Sequence, residues 1–142
     1  MSYAQVHHDI MSLMFSNLAT EYGIRKAMYF STMCVSLCRL HAFFRAPLKP
    51  ALKLIDGRRV KRMRSRSGRI AFQVTGEAKI SYTCLQESNF CSCYSYLHQV
   101  LRKQEIPMCK HVLAARLAVA LGKCEEVDCS DDTMIFVLQN LF

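Results

Sequence analysis

The chain has 142 residues, 51% of them hydrophobic, and a formal net charge of +8. This composition excludes a largely disordered chain, and the length suits one domain of ordinary size or a small module with flanking arms. The longest uncharged apolar stretch, residues 27–38, is shorter than the about 20 residues of a membrane-spanning helix, and the first ten residues lack the pattern of a secretory signal. We therefore expect an intracellular protein that does not cross a membrane.

Helices are predicted for the first third of the chain. Apolar side chains recur at helical spacing over residues 5–19, and residues 25–45 are rich in methionine, phenylalanine and leucine. A short helix is expected over residues 51–55, between two prolines and an Asp-Gly turn. Residues 1–56 are accordingly expected to form an N-terminal helical region.

The hydrophobic period then changes to two, which is the repeat of a β-strand. Ile70, Phe72 and Val74 alternate with other residues, and after a glycine turn the alternation resumes over residues 80–84. Residues 58–64 are a candidate third strand. This pattern predicts a small antiparallel hairpin or sheet.

Two more helices are predicted in the last third, which makes the expected fold class α+β. The first begins near His111 and ends before Gly122, a residue that suits the C′ position. The second follows Ser130, a good N-cap, with two aspartates in its first turn. Its expected apolar stripe contains Ile135, Leu138, Leu141 and Phe142. We expect a hairpin-to-helix unit over residues 57–123 and an acidic-capped helix over residues 124–142.

Two close pairs of metal-binding residue types flank the segment between hairpin and helix. Cys91 and Cys93 follow the strands, and Cys109 and His111 open the helix. Clustered cysteine and histidine in a reducing compartment more often bind metal than form disulfides. Residues two apart point in different directions on a regular helix, so Cys109 must lie just outside it. Thiolate and imidazole are zinc ligands, and four of them close a structural site. The pattern predicts one structural zinc ion.

Other residues near these pairs are less suited to this role. The alternative is that the four residues are unlinked members of a cysteine-rich core. Cys84 alternates with apolar strand residues and is expected to face the core, and His98 is expected to be a surface or packing residue. Cys124 and Cys129 are the remaining nearby thiols.

The Cys-x-Cys and Cys-x-His pairs resemble the signature of the SWIM zinc-finger family, with its order of hairpin, metal pair and helix. Over about residues 52–142, "SGRIAFQVTG", "SYTCL", "FCSCYSYLHQVLRK" and "CKHVLAARL" resemble the small SWIM-domain subunit of Shu complexes. The resemblance implies a ββα finger with Cys91, Cys93, Cys109 and His111 as the zinc ligands.

The resemblance also implies a function in homologous recombination. Proteins of this type pair with a RecA-like recombinase paralogue, and the pair promotes assembly or stability of the recombinase filament on single-stranded DNA in repair and meiosis. We expect such a heterodimer in the nucleus, with no small-molecule substrate. The apolar stripes of the terminal helices could supply the partner surface, or they could pack within the chain.

A second hypothesis is a stand-alone nucleic-acid-binding protein. Seven basic residues and no acid lie in residues 58–69, whereas five acids and no base follow Cys124. Tyr94 and Tyr96 could stack on bases, or belong to a small core. The basic run could also meet an import receptor or an acidic protein. The candidate phosphate contacts are Arg58, Arg59, Lys61, Arg62, Arg64, Arg66, Arg69, Arg102 and Lys103, with Lys110 and Arg116 in the finger.

A zinc enzyme is the third hypothesis, and the sequence argues against it. Catalytic zinc keeps one position open for water, whereas four protein ligands would close this site. The "PMCKH" stretch is not the deaminase signature, and neither a P-loop nor a nucleophile elbow is present. We expect no enzymatic activity.

Overall fold

A computed structural model describes residues 38–141. The predicted helix 5–19 and the first part of the predicted helix 25–45 lie outside these residues. Residues 38–44 are helical. The elements that follow are α1 Leu48–Asp56, β1 Val60–Ser65, β2 Ile70–Thr75, β3 Ser81–Leu85, β4 Phe90–Cys91, a π-helix Tyr96–Arg102, α2 Lys110–Ala120, β5 Glu125–Cys129 and α3 Asp131–Gln139. No helix in this part of the chain is long and apolar enough to cross a membrane.

The predicted α+β class is confirmed, and the sheet is larger than the expected hairpin. Five strands lie in the order β4-β3-β2-β1-β5. The pairs β1–β2, β2–β3 and β3–β4 are antiparallel, and β5 runs parallel to β1. Apolar alternation predicted β2 and β3, and β1 corresponds to the candidate third strand. It could not indicate β5, because that strand is acidic and exposes most of its residues.

The main core lies between one face of the sheet and the helices α1 and α2. Val60, Phe72 and Val74 project from the sheet into it, and Leu54 and Leu117 meet them from the helices. Every residue from His111 to Ala118 is buried, so α2 lies inside the fold rather than on its surface. This central helix brings its N-terminus to the end of the β3–β4 hairpin.

Helix α2 ends in a Schellman motif, as the predicted C′ position of Gly122 requires. Gly122 has a φ of +63°, its N–H donates to Val119 O, and the N–H of Lys123 donates to Ala118 O over 2.8 Å. These bonds satisfy carbonyls that a helix end would otherwise leave free. The chain is thereby turned back toward the sheet, where β5 joins β1. The boundary expected between the units 57–123 and 124–142 stays a prediction. Strand β5 lies after this boundary and belongs to the same sheet as the strands before it.

The second face of the sheet is covered in part by α3. Ser130 is the N-cap, and its Oγ accepts a hydrogen bond from Thr133 N over 3.1 Å, as predicted. Met134 is buried against Met63 and Ala71. Of the predicted apolar stripe, Leu138 packs against this cluster and Phe142 lies outside the described residues, but the anchor is Met134. Ile135 is instead 43% exposed.

Candidate metal centre

The two predicted pairs of metal-binding residues meet at the junction of hairpin and helix. Cys91 ends β4, and Cys93 lies two residues beyond it. Cys109 is the N-cap of α2 with φ −75° and ψ 161°, so its backbone is extended. His111 lies in the first helical turn. The prediction that Cys109 lies outside the helix is therefore confirmed, and this backbone turn lets both residues face the same point.

The four side chains form a buried cluster. One ligand atom from each of Cys91, Cys93, Cys109 and His111 lies within 4.8 Å of every other. The side chain of Cys93 is the most exposed of the four, at 5%. His111 turns Nδ1 toward the thiols, at 3.8 Å from Cys91 Sγ. Its Nε2 atom is buried without a hydrogen-bond partner among residues 38–141.

These residues fit a zinc ion. Zn–S bonds of about 2.3 Å and Zn–N bonds of about 2.0 Å place the ligand atoms of a tetrahedron roughly 3.5–3.8 Å apart. The separation of 3.8 Å between Cys91 Sγ and His111 Nδ1 is close to the roughly 3.5 Å expected for a sulfur–nitrogen pair. Three sulfurs and one nitrogen are also the donors that zinc prefers. The cluster can therefore hold a zinc ion at its centre.

The thiols affect one another strongly when no cation lies between them. Hydrogen bonds from Cys109 and Cys91 lower the pKa of Cys93 far below its usual range. The hydrogen bonds of Cys109 with Cys91 and Cys93, and then its burial, raise the pKa of Cys109. One thiolate is thus favoured at the expense of its neighbours. A divalent cation removes this competition, because it stabilises all three thiolates together.

A surrounding shell of residues holds the ligands in place. The backbone N–H of Tyr96 donates to Cys93 Sγ over 3.3 Å. The ring of Tyr82 stacks on His111, with centroids 4.3 Å apart and planes 28° from parallel. Gly76 lies behind this stack, and a Cβ there would come within 3.2 Å of the Tyr82 ring. The sequence pattern predicted no role for Tyr82, although its alternation with Cys84 placed both on the core face.

The other nearby thiols and His98 lie outside the cluster. Cys84 is buried, as predicted, and its Sγ is 3.6 Å from Cys91 Sγ. Cys124 and Cys129 are half-buried, and burial raises the pKa of Cys124 to about 11. The ring of His98 stacks on Tyr94, as expected of a packing residue. The structure thus separates the predicted ligands from the remaining candidates.

The predicted nucleic-acid contacts of β1 lie beside an acidic strand. Lys61 stands opposite Glu125 in the parallel register, and their side chains form an ion pair of 3.4 Å. Arg62 stands opposite Glu126, and their side chains pair at 3.2 Å. Asp128 stands opposite Arg64. The basic middle and acidic end of the sequence are therefore neighbours, and part of the positive charge is balanced within the chain.

The remaining candidate contacts lie in three regions. Arg58, Arg64, Arg66 and Arg69 are exposed around β1 and its following turn, while half-buried Arg59 donates from Nη1 to Gly76 O over 3.3 Å. Arg102 and Lys103 are exposed at the end of the π-helix. In α2, Lys110 is half-buried, and the buried Arg116 donates to Gln86 O over 3.1 Å. Among these cations, Arg69 and Arg116 line one surface pocket together with Arg62.

The two tyrosines proposed for base stacking differ in their environment. Tyr94 is 74% exposed, so its ring is accessible. Tyr96 is 9% exposed and packs edge-on against Phe90, at a centroid distance of 5.3 Å. Tyr96 is therefore a core residue, which was the alternative stated for it.

A hairpin and a helix N-terminus that converge on three cysteines and a histidine define a SWIM-type zinc finger. Relatives named zinc finger SWIM domain-containing protein 7 match the chain. The protein from Homo sapiens is 34% identical over 102 residues, covering 72% of this chain and 73% of that protein. The protein from Mus musculus is 36% identical over 102 residues, covering 72% and 67%. The protein from Danio rerio is 42% identical over 88 residues, covering 62% of this chain and 63%, less than two thirds, of that protein.

The chain belongs to the family of zinc finger SWIM domain-containing protein 7. No family model matches it, and no solved structure gives a significant match. Membership and the Cys/His cluster together indicate zinc binding.

Proposed function

We propose that the chain is a non-enzymatic subunit organised by one structural zinc ion. It pairs with a RecA-like recombinase paralogue in the nucleus. The pair promotes assembly or stability of the recombinase filament on single-stranded DNA, in homologous recombination repair and in meiosis. The names of the relatives refer to the zinc finger only, so the recombination function rests on the resemblance to Shu-complex subunits described above.

The observation that carries the proposal is the closed cluster of Cys91, Cys93, Cys109 and His111. All four side chains are buried, and their ligand atoms lie within 4.8 Å of one another. Four protein ligands complete a tetrahedron, whereas a catalytic zinc retains a position for water or substrate. The arrangement favours an ion that joins the hairpin to α2 over an ion that performs chemistry.

The outer face of α3 supports a partner-binding function. Phe136 is 67% exposed and Ile135 is 43% exposed, although both belong to a helix whose inner face is anchored by Met134. Exposed aromatic and aliphatic side chains close together are typical of protein interfaces. We propose that this surface, Ile135 and Phe136, contacts the recombinase paralogue together with the finger that the zinc ion orders, so that loss of either part loses the partner.

Co-purification with a RecA-like paralogue tests the proposal, with zinc content measured on the same material. Cys91→Ala or His111→Ala is expected to lose zinc and partner together, because the finger unfolds. Phe136→Ser is expected to lose the partner while keeping zinc. The control Ile80→Ser changes a residue that is 55% exposed in the turn before β3, and it should retain both. Wild-type partner binding by His111→Ala would refute an organising function for the metal.

Direct nucleic-acid binding is the second candidate function. The observation that favours it is the exposure of Arg58, Arg64, Arg66 and Arg69 around β1. Titration of the purified chain with single-stranded DNA at several salt concentrations separates the two candidates. Phosphate contacts give an affinity that falls steeply with salt. Absence of binding until the recombinase paralogue is added favours the subunit proposal.

A further inference from the structure

Cys84 is a buried thiol beside the metal cluster that the zinc site does not use. Its side chain is fully buried, and its Sγ lies 3.6 Å from that of Cys91. It is not one of the four residues whose ligand atoms lie within 4.8 Å of one another. Cys91 therefore has a second thiol, outside the ligand set, as an immediate neighbour.

The strand register places these two cysteines directly opposite each other. Cys84 on β3 pairs with Cys91 on β4. The next pair along the ladder carries the backbone bond from Ser92 N to Thr83 O, and hydrogen-bonded pairs alternate with non-hydrogen-bonded pairs in antiparallel sheets. Cys84 and Cys91 thus form a non-hydrogen-bonded pair, whose Cα atoms lie about 4.5 Å apart. Disulfides span Cα separations of roughly 4.4–6.8 Å, so side-chain rotation is sufficient to bring the sulfurs together.

We propose that Cys84 and Cys91 are a disulfide-forming pair that a hydroperoxide oxidises, with release of the zinc ion. The inference rests on the proposed ligand set, because Cys91 is one of the four ligands. Oxidation removes that ligand and leaves Cys93, Cys109 and His111. Three ligands no longer close a structural site, so the ion dissociates.

The reaction balances with hydrogen peroxide as the only oxidant. The Cys91 thiolate attacks one peroxide oxygen, the O–O bond breaks, and the sulfur becomes a sulfenic acid while hydroxide leaves. The Cys84 thiol then attacks that sulfur, an S–S bond forms, and the departing hydroxide takes the thiol proton as water. Two sulfurs lose two electrons in total, and the peroxide gains them.

Two features favour Cys84 over the other thiols as the residue that completes the disulfide. In the proposed site Cys93 and Cys109 are metal ligands, whereas Cys84 is outside the ligand set and can react before the ion leaves. Access is provided by the position of β4, a two-residue strand at the edge of the sheet. Short edge elements open locally at lower free-energy cost than central strands, and such opening exposes Cys91 first.

The test uses the full zinc-loaded chain and hydrogen peroxide. Zinc is first quantified before oxidation, and absence of zinc at this stage refutes the proposed metal site itself. Zinc release is then followed with a chelating dye, and disulfides are mapped by mass spectrometry of peptides. We expect one zinc ion lost per Cys84–Cys91 disulfide formed, and recovery of zinc binding after thiol reduction.

Matched cysteine variants complete the experiment. Cys84→Ser removes the completing thiol, so it is expected to lose zinc more slowly than wild type at the same peroxide concentration. Cys124→Ser removes a half-buried thiol outside the cluster and should behave as wild type. If Cys84→Ser fails to bind zinc, the disulfide map of the wild-type protein tests the proposal in its place. A free Cys84 thiol in zinc-depleted wild type, or a Cys84–Cys91 disulfide with zinc retained, overturns the proposal.

Discussion

Removal of the metal ion is expected to release residues 90–109 while the rest of the described fold persists. This segment buries three cysteine ligands and only two other large side chains, Tyr96 and Met108. Burial of one such side chain contributes about 1.5–3 kcal/mol, so the two contribute roughly 3–6 kcal/mol. Structural zinc in finger peptides contributes roughly 10–16 kcal/mol near neutral pH. The ion is therefore the dominant stabilising interaction of this segment.

The remaining core has apolar contacts that do not depend on zinc. Val60, Phe72 and Val74 of the sheet are at most 1% exposed, and Leu113 and Leu117 of α2 are equally well buried. These side chains pack in one cluster with α1. Each contributes through burial alone, so β1, β2 and the later turns of α2 are expected to stay folded when the ion is removed.

Hydrogen exchange measured with and without a strong chelator tests this division. Amide protection should be lost over residues 90–109 and retained in β1, β2 and the second half of α2. Chelator that has been saturated with zinc beforehand is the control, and it should change nothing. Loss of protection throughout residues 38–141 would refute the reasoning, because the ion would then support the whole core. Unchanged protection would show that no metal orders the segment.

Three further predictions concern the surroundings of the site and the sheet. Tyr82→Ala should weaken zinc binding about two- to tenfold in a competition titration, because aromatic stacking contributes about 0.5–1.5 kcal/mol. The control Tyr94→Ala changes an exposed tyrosine and should bind zinc as wild type does. Equal losses in the two variants would contradict the stacking role of Tyr82. In a double-mutant cycle, the Arg62–Glu126 ion pair should contribute about 0.2–1 kcal/mol to unfolding free energy, and a coupling insensitive to salt would exclude a simple ion pair. Hydrogen bonds from Ser67, in the β1–β2 turn, lower the pKa of Asp131. The charge of Asp131 therefore stabilises the fold above the ordinary aspartate pKa, and this contribution is lost as pH falls through the lowered pKa. Thermal melts of Asp131→Asn should therefore differ from wild type at neutral pH and converge with it in acid; a constant difference would contradict the assignment.

The metal site could be predicted because its information is local. The Cys-x-Cys and Cys-x-His pairs are each two residues apart, and helix geometry alone required Cys109 to precede the helix. The N-cap position of Cys109 confirms that requirement. Alternation of Ile70, Phe72 and Val74 likewise predicted β2, since one strand face must be apolar to pack on a core.

The inner face of α3 could not be set correctly from the sequence. Residues 134–138 are all apolar, so helical periodicity does not select one face among them. The contact of Met134 with Met63 and Ala71 makes the choice, and it leaves Ile135 and Phe136 outside. The same packing leaves Ile135, a member of the predicted stripe, as a candidate partner contact.

The sequence by itself determined the α+β class, the approximate strands and helices, and the identity of the four residues that can hold zinc. These features depend on hydrophobic period, capping residues and ligand spacing, all of which act over a few neighbouring positions. Only the tertiary structure decided that acidic β5 lies parallel to basic β1, and that Cys84 lies opposite Cys91. Strand pairing brings together residues that are distant along the chain, and its register depends on the packing of the whole sheet against the helices.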